Sequence, residues 1–274
     1  METVVSATLN YLAPGSVRNR LYVAPGGHMT TTQYAARTVP IANGRPFRGD
    51  FSLDTSGFTF LDHRSQVTDF DDAAQLDTTY TNEALDLVRA VTGTEHVVSL
   101  GWVIRRAGPD LRGARPPAPD VHVDVHPGRA DARLTITAPL PGRQYARAIT
   151  TSLWRAFSPP PQDWPLALLD YRSVDDTEGE ANLLLFVDQL PEAGEVPDID
   201  GADFQPAGSV FTYRPGHRWW YFPDMRADEA LLFKLHDTDQ DVAWRVPHTA
   251  FRDEHAAGAH PRESIELRTI AFFY

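Results

Sequence analysis

The 274-residue sequence contains no cysteine. Disulfides, thiolate metal sites, iron–sulfur clusters and a cysteine nucleophile are all excluded, and any metal must sit on His, Asp or Glu. Lysine is almost absent: Lys234 stands alone among arginines. Positive charge is scarce overall, with 25 Lys and Arg against 37 Asp and Glu and a formal net charge of −12. Neutralising phosphate needs clustered basic residues, so no nucleic-acid partner is expected. No apolar run is long enough to span a bilayer, so no membrane partner is expected either. The start, Met1-Glu2-Thr3, has no basic region and no long apolar stretch behind it, which points to a cytoplasmic protein without a signal peptide.

What is present suits one large domain over residues 1–274, since 42% of the residues are apolar and a full core can be buried. Residues 1–80 hold many turn formers, such as Pro14-Gly15 and Pro25-Gly26-Gly27, and short apolar patches such as Leu9-Asn10-Tyr11-Leu12 and Phe58-Thr59-Phe60-Leu61. They read as an extended lead-in with only short strands. One helix follows: Thr81 caps it, Ala84, Leu87, Val88 and Val91 keep helical spacing, and Gly93 ends it. Its expected role is to brace the outside of a sheet, which completes an N-terminal part of 1–95. From residue 96 the texture changes to short strand-like runs between Pro, Gly and Asp clusters. The candidates are 97–104, 121–125, 133–137, 148–154, 183–187, 210–213, 218–222, 230–235, 242–246 and 265–273. Many short strands with turn signals between them predict a mainly β protein, a sandwich or a closed double sheet of jelly-roll type. Residues 105–119 read as a loop able to cover the barrel mouth, and the acidic stretch 188–203 as a surface loop.

Within that pattern, Val121-His122-Val123-Asp124-Val125 alternates apolar and polar residues. His122 and Asp124 therefore share one strand face, about 7 Å apart along the backbone. An imidazole and a carboxylate so placed are two of the three ligands of a 2-His-1-carboxylate triad, which holds non-haem Fe(II) and leaves positions open. The third ligand is expected at His248, after the apolar run ending Val246-Pro247. His217, before the aromatic run Trp219-Trp220-Tyr221, is its rival. His126 lies on the same strand face, but Pro127 turns the chain away. His236, His255 and His260 read as solvated.

Fourteen residues after His248 come Arg262-Glu263-Ser264. A co-substrate such as 2-oxoglutarate, chelating iron through its 1-carboxylate and keto oxygen, needs a fixed cation for its distal carboxylate. Arginine's planar fork suits that role, and the hydroxyl of Ser264 lies on the same strand face. Glu266 and Arg268 continue that polar face, with Ile265 and Leu267 opposite. Arg268 is the alternative partner for the distal carboxylate, and an ion pair with Glu266 is the alternative use of Arg262. Tyr213 is a further candidate for 2-oxoglutarate. Trp154, Arg155, Trp219 and Tyr221 are candidates for the substrate wall, although Trp154 and Arg155 could equally lock the sheet.

The sequence resembles the hydroxylase/desaturase family that includes the fungal gibberellin desaturase and the oxygenase component of cephamycin methoxylation. The likeness is carried by Leu9-Asn10-Tyr11-Leu12, Val121-His122-Val123-Asp124, Leu153-Trp154-Arg155, Asp163-Trp164-Pro165-Leu166, His217-Arg218-Trp219-Trp220, Pro247-His248-Thr249 and Arg262-Glu263-Ser264, which span most of the chain. Where the family often shows Trp-Arg-Pro, this chain has Trp154-Arg155-Ala156. The resemblance implies a double-stranded β-helix, cupin-like, with bracing helices. It also implies Fe(II), with 2-oxoglutarate and O₂ as co-substrates. The activity it implies is hydroxylation or desaturation of a small-molecule secondary metabolite, with 2-oxoglutarate converted to succinate. A cupin-like dioxygenase or isomerase without 2-oxoglutarate, and a non-enzymatic small-molecule-binding jelly roll, are the competing readings.

Overall fold

The computed structural model describes residues 4–16, 18–25, 27–192, 194, 205–254 and 256–274. Met1-Glu2-Thr3, Gly26 of the turn at 25–27, His255 and most of the acidic stretch 188–203 lie outside the described residues. Two sheets face each other. The larger runs in the order Val4–Leu12, Tyr34–Asn43, Trp219–Tyr221, Leu166–Leu169, His248–Ala250, His122–Val123, Gln205–Val210, Glu180–Phe186, Arg20–Ala24 and Gly27–Thr30. The smaller runs Phe58–Asp62, Glu229–Asp237, Arg147–Ala156, Glu263–Phe273 and Val97–Arg106. This is a jelly roll, the mainly β double sheet that the turn-punctuated runs predict.

Period-two alternation sets what faces the interior. Leu231, Phe233 and Leu235 join Leu166, Leu168, Val121 and Val123 in a core between the sheets. Their neighbours Ala230 and Leu232, with Leu153, Ile265 and Leu267, face outward into a second cluster with Leu76, Ala84 and Val88 of the helical segment. The helix therefore does brace the outside of the smaller sheet. The inward face of Glu263–Phe273 is left to Ser264, Glu266 and Arg268, so the polar face of the last full strand belongs to the barrel interior.

Several expectations need correction, among them the run 210–213, where the strand Gln205–Val210 has already ended. First, residues 4–43 are not a lead-in of short strands. Val4–Leu12 has nine residues and Tyr34–Asn43 has ten, and all nine of the first pair with the second. Second, the bracing helix does not start at Thr81. Asp72 caps it, accepting from the Ala74 and Gln75 amides, and the chain runs helically through Leu76–Tyr80 into Thr81–Thr92. Thr81 instead donates its hydroxyl to the Leu76 carbonyl at 2.8 Å. Gly93 does end the helix, at φ 75°, a left-handed conformation that glycine adopts without strain. Third, residues 133–137 lie in a helix, Pro127–Thr137, where the Gly128 amide donates to the capping His126 Nδ1. A strand would put Leu134 and Ile136 on one face, whereas Leu134 is 1% exposed and Ile136 84%. Fourth, 242–246 is a buried but irregular crossing, anchored by amides of Ala243 and Val246 to Asp54 and Lys234 carbonyls.

Candidate active site

The strand predicted at 121–125 is regular only at His122–Val123, but its position is central. His122 pairs with His248 on one side and with Val210 on the other. Gly208 packs so close that a Cβ there would meet the Val123 carbonyl oxygen at 2.5 Å. This leaves no slack in the segment that presents His122 and Asp124.

The structure brings His122, Asp124 and His248 together, with one donor atom of each within 4.8 Å of the others. His122 Nε2 lies 3.9 Å from Asp124 Oδ1, and His248 Nε2 lies 3.5 Å from Asp124 Oδ2. The Nδ1 atoms face away, 2.7 Å from the Asp120 carbonyl and 3.0 Å from the Val246 carbonyl. A carbonyl only accepts, so each Nδ1 carries the proton and each Nε2 presents a lone pair inward. Asp124 Oδ1 accepts from Arg268 Nη2 at 2.8 Å, while buried Oδ2 has no hydrogen-bond partner. Burial pushes the Asp124 carboxyl up, but the Arg268 guanidinium outweighs it and holds it well below the usual carboxylate range. Two inward lone pairs and one orphaned anionic oxygen form a donor set that suits a divalent transition metal.

Beside the histidines lies a narrow cleft lined by Arg105, Trp154, Thr249, Arg262 and Glu266, with a cavity volume of ≈ 20 Å³. Arg262 is 2% exposed, its Nη1 donates to the Trp164 carbonyl at 2.8 Å, and Nε has no partner. It stacks over Trp154, 5.7 Å from the ring centroid. Burial and the neighbouring Arg105 push its pKa down to about 9. The alternative ion pair with Glu266 does not form. Glu266 instead accepts from Arg268 at 3.0 Å and from Arg105 at 3.5 Å. Ser264 is buried with its hydroxyl unpartnered.

A larger cavity of ≈ 450 Å³ opens on the other side of Asp124, reached by Arg105 and Arg268 and walled by Val125, Leu134, Leu184 and Ile270. Residues 105–119 lie over both spaces, Ala118 on the cleft and Arg115 on the cavity.

Other candidates fall elsewhere. His217 is tied to Glu178 at 2.8 Å and to the Tyr11 hydroxyl at 3.3 Å, away from the triad. Tyr213 is 39% exposed and stands edge-on to Tyr11, not in the cleft. Of the four wall candidates, Trp154 alone lines the cleft. Arg155 is spent on the His63 and Ala227 carbonyls, Trp219 donates to Tyr11 at 2.7 Å, and Tyr221 lines a separate hollow near Pro161. His126 caps its helix, and His260 is exposed as expected. His236 is 4% exposed, its ring edge-on to Trp244, so its acidic neighbours in sequence misplace it. Arg105 was not singled out from the sequence. Its signal is the Arg105-Arg106 pair at the end of a strand, and only its register opposite Ser264 brings it to the cleft.

Fold and site define the class, a jelly-roll oxidoreductase with a buried polar interior. A family model described as "Oxidoreductase/YMDC permease-like domain" matches residues 9–272. The hydroxylase/desaturase asaB of Aspergillus flavus is 31% identical, over 98% of this chain and 95% of its own. The Fe(II)/2-oxoglutarate-dependent dioxygenase nvfI of Aspergillus novofumigatus is 28% identical, over 92% of this chain and 89% of its own. A solved structure of the iron and alpha-ketoglutarate-dependent endoperoxidase NvfI superposes with a TM-score of 0.79 and 26% identity, covering 99% of this chain and 98% of that one. The chain belongs to the hydroxylase/desaturase family of Fe(II)- and 2-oxoglutarate-dependent oxygenases.

Proposed function

We propose that the protein oxidises a C–H bond of a small-molecule secondary metabolite, with Fe(II) held by His122, Asp124 and His248. The observation that carries this reading is the Asp124 carboxylate set against two Nε2 lone pairs, with its orphaned Oδ2 3.5 Å from His248 Nε2 and each imidazole fixed by a main-chain carbonyl behind it. When bound, the iron supplies O₂ activation coupled to the decarboxylation of 2-oxoglutarate to succinate. The chain's own groups supply position and charge. Arg268 takes up Oδ1 of Asp124 and so directs Oδ2 toward His248, as an outer-shell donor orients a ligand. Arg262, buried and without a carboxylate partner among the described residues, is the cation for the distal carboxylate of 2-oxoglutarate, and Ser264, two residues on, offers a buried and unpartnered hydroxyl. The cleft's ≈ 20 Å³ holds one water, so the diacid enters by displacing Arg105, which is held by the Pro116 carbonyl at 3.0 Å and by Glu266 at 3.5 Å. Tyr213 takes no part in this reading. The larger cavity receives the substrate, and its volume falls in the usual range for small-molecule sites. Among the described residues no helix is long and apolar enough to cross a membrane, in keeping with a cytoplasmic enzyme working on a diffusible metabolite.

Protein reconstituted anaerobically with Fe(II) and 2-oxoglutarate is expected to show the weak visible charge-transfer band of the iron–oxoacid chelate. His122→Ala and His248→Ala should each abolish it. A band that survives either substitution, with succinate formation intact, overturns the ligand assignment.

A further inference from the structure

The larger cavity has an unusual charge balance for this chain. Acidic residues outnumber basic ones 37 to 25 overall. On the cavity wall the ratio inverts: Arg105, Arg115, Arg133 and Arg268 stand there with one carboxylate, that of Asp124. That carboxylate is already taken up by Arg268 and faces the two histidines. The rest of the wall is largely aliphatic, so among the described residues the space is apolar with a cationic margin.

The arginines are not equivalent. Arg268 is committed to Asp124 and Glu266, and Arg105 to the Pro116 carbonyl and Glu266. Arg115 differs. Its backbone is fixed, the amide donating to Ile104 and the carbonyl accepting from Arg106. Its exposed side chain meets no carboxylate or carbonyl among the described residues. A guanidinium on an anchored backbone at the edge of an apolar cavity is placed to receive a planar anion by its two-pronged fork.

We propose that the substrate is an anionic, largely apolar small molecule whose acid group is held by Arg115 while its apolar body lies along Leu134, Leu184 and Ile270 toward Asp124. The proposal rests on the reading of this cavity as the substrate side of the iron site. It adds the chemical class: a carboxylate or sulfonate on a hydrophobic skeleton, in preference to a neutral or cationic metabolite.

The test uses two fluorescent probes that differ mainly in charge, the anionic 1-anilinonaphthalene-8-sulfonate and the neutral N-phenyl-1-naphthylamine. Each is titrated into the full-length protein, both metal-free and loaded with Fe(II) and 2-oxoglutarate under nitrogen. Arg115→Ala is expected to weaken the sulfonate probe by roughly tenfold, the scale of one charge-assisted hydrogen-bonded pair, and to leave the neutral probe unchanged. Arg115→Lys should restore most of the loss, and decanoate should displace the sulfonate probe where methyl decanoate does not. The proposal is overturned if Arg115→Ala binds the sulfonate as wild type does. Equal weakening of both probes, or equal displacement by the ester, overturns it too. The charge-transfer band separates this failure from failure of the iron reading. With the band intact and sensitive to His122→Ala, a negative probe result removes the substrate class alone. Lost probe selectivity has no bearing on the band, and a missing band leaves the metal-free titration readable.

Discussion

Replacing Arg262 by methionine should separate binding from stability. A guanidinium that is 2% exposed, with Nε unpartnered and no ion-paired carboxylate among the described residues, is a charge short of a counter-ion. A buried unpaired charge is itself a cost to the fold. Its removal at similar volume forfeits the bond to the Trp164 carbonyl, ~1.5–3 kcal/mol for a charged donor, but also relieves that burial. The melting temperature of the protein without 2-oxoglutarate should therefore change little. The affinity for 2-oxoglutarate should not survive. Truncating one side of a buried charge pair costs about 2–5 kcal/mol, or roughly 30- to 4,000-fold in Kd. Thermal melting with Fe(II), under nitrogen, reads both effects. At 2-oxoglutarate near a hundred times the wild-type Kd, the folded state gains about 2.7 kcal/mol. An unfolding entropy of about 2.1 cal/mol/K per residue over 274 residues converts this to a rise of about 5 °C. At the same concentration the variant should gain under about 1 kcal/mol, less than about 2 °C. Arg262→Lys keeps the charge without the fork and should fall between the two. A methionine variant with the full ligand shift refutes the assignment. One that melts far below wild type before ligand is added shows that Arg262 holds the fold instead.

Two predictions concern the frame around the site. Lys234 is fully buried and donates to Asp54 at 2.8 Å, Asp237 at 2.7 Å and the Ala243 carbonyl at 2.7 Å, so Lys234→Met should cost about 3–5 kcal/mol and lower the melting temperature by roughly 5–9 °C. An unchanged melting temperature would show that Arg147 alone satisfies Asp237. Burial pushes Glu229 up, but Arg45, bonded at 2.9 and 2.7 Å, and Arg226 hold it below its usual 4.5. The stability this provides is complete above pH 4.5 and is lost as pH falls through the lower folded value. Glu229→Gln should thus be less stable than wild type at pH 7, with the gap closing in acid; a gap that persists to pH 2 counts against the linkage.

Which parts of this arrangement are legible in the sequence follows from the range of the contact that creates them. His122 and Asp124 need only one strand's spacing, and Ile265 and Leu267 against Ser264 and Glu266 need only another, so both readings hold in the fold. The helix at Pro127–Thr137 and the long strands Val4–Leu12 and Tyr34–Asn43 are decided by partners far along the chain. In Tyr34–Asn43 only Val39 and Ile41 among the hydrophobic residues are buried, too weak a pattern to read locally. The Glu178 partner of His217 lies 39 positions away, and the Glu266 partner of Arg105 lies 161 away. Spacing alone therefore could not tell the tied histidine from the free one or reveal Arg105. That long-range register also divides the site. Glu263–Phe273 is paired to Val97–Arg106 on one side and faces His122–Val123 across the barrel. Arg262, just before that strand, and Glu266 on it therefore reach the cleft, and Arg268 reaches Asp124 and the cavity. The carboxylate of Asp124 lies at the division, one oxygen taken by Arg268 and the other facing His248. A substitution at Arg268 should then disturb metal affinity and substrate binding together, whereas Arg262 and Arg115 each answer for one side alone.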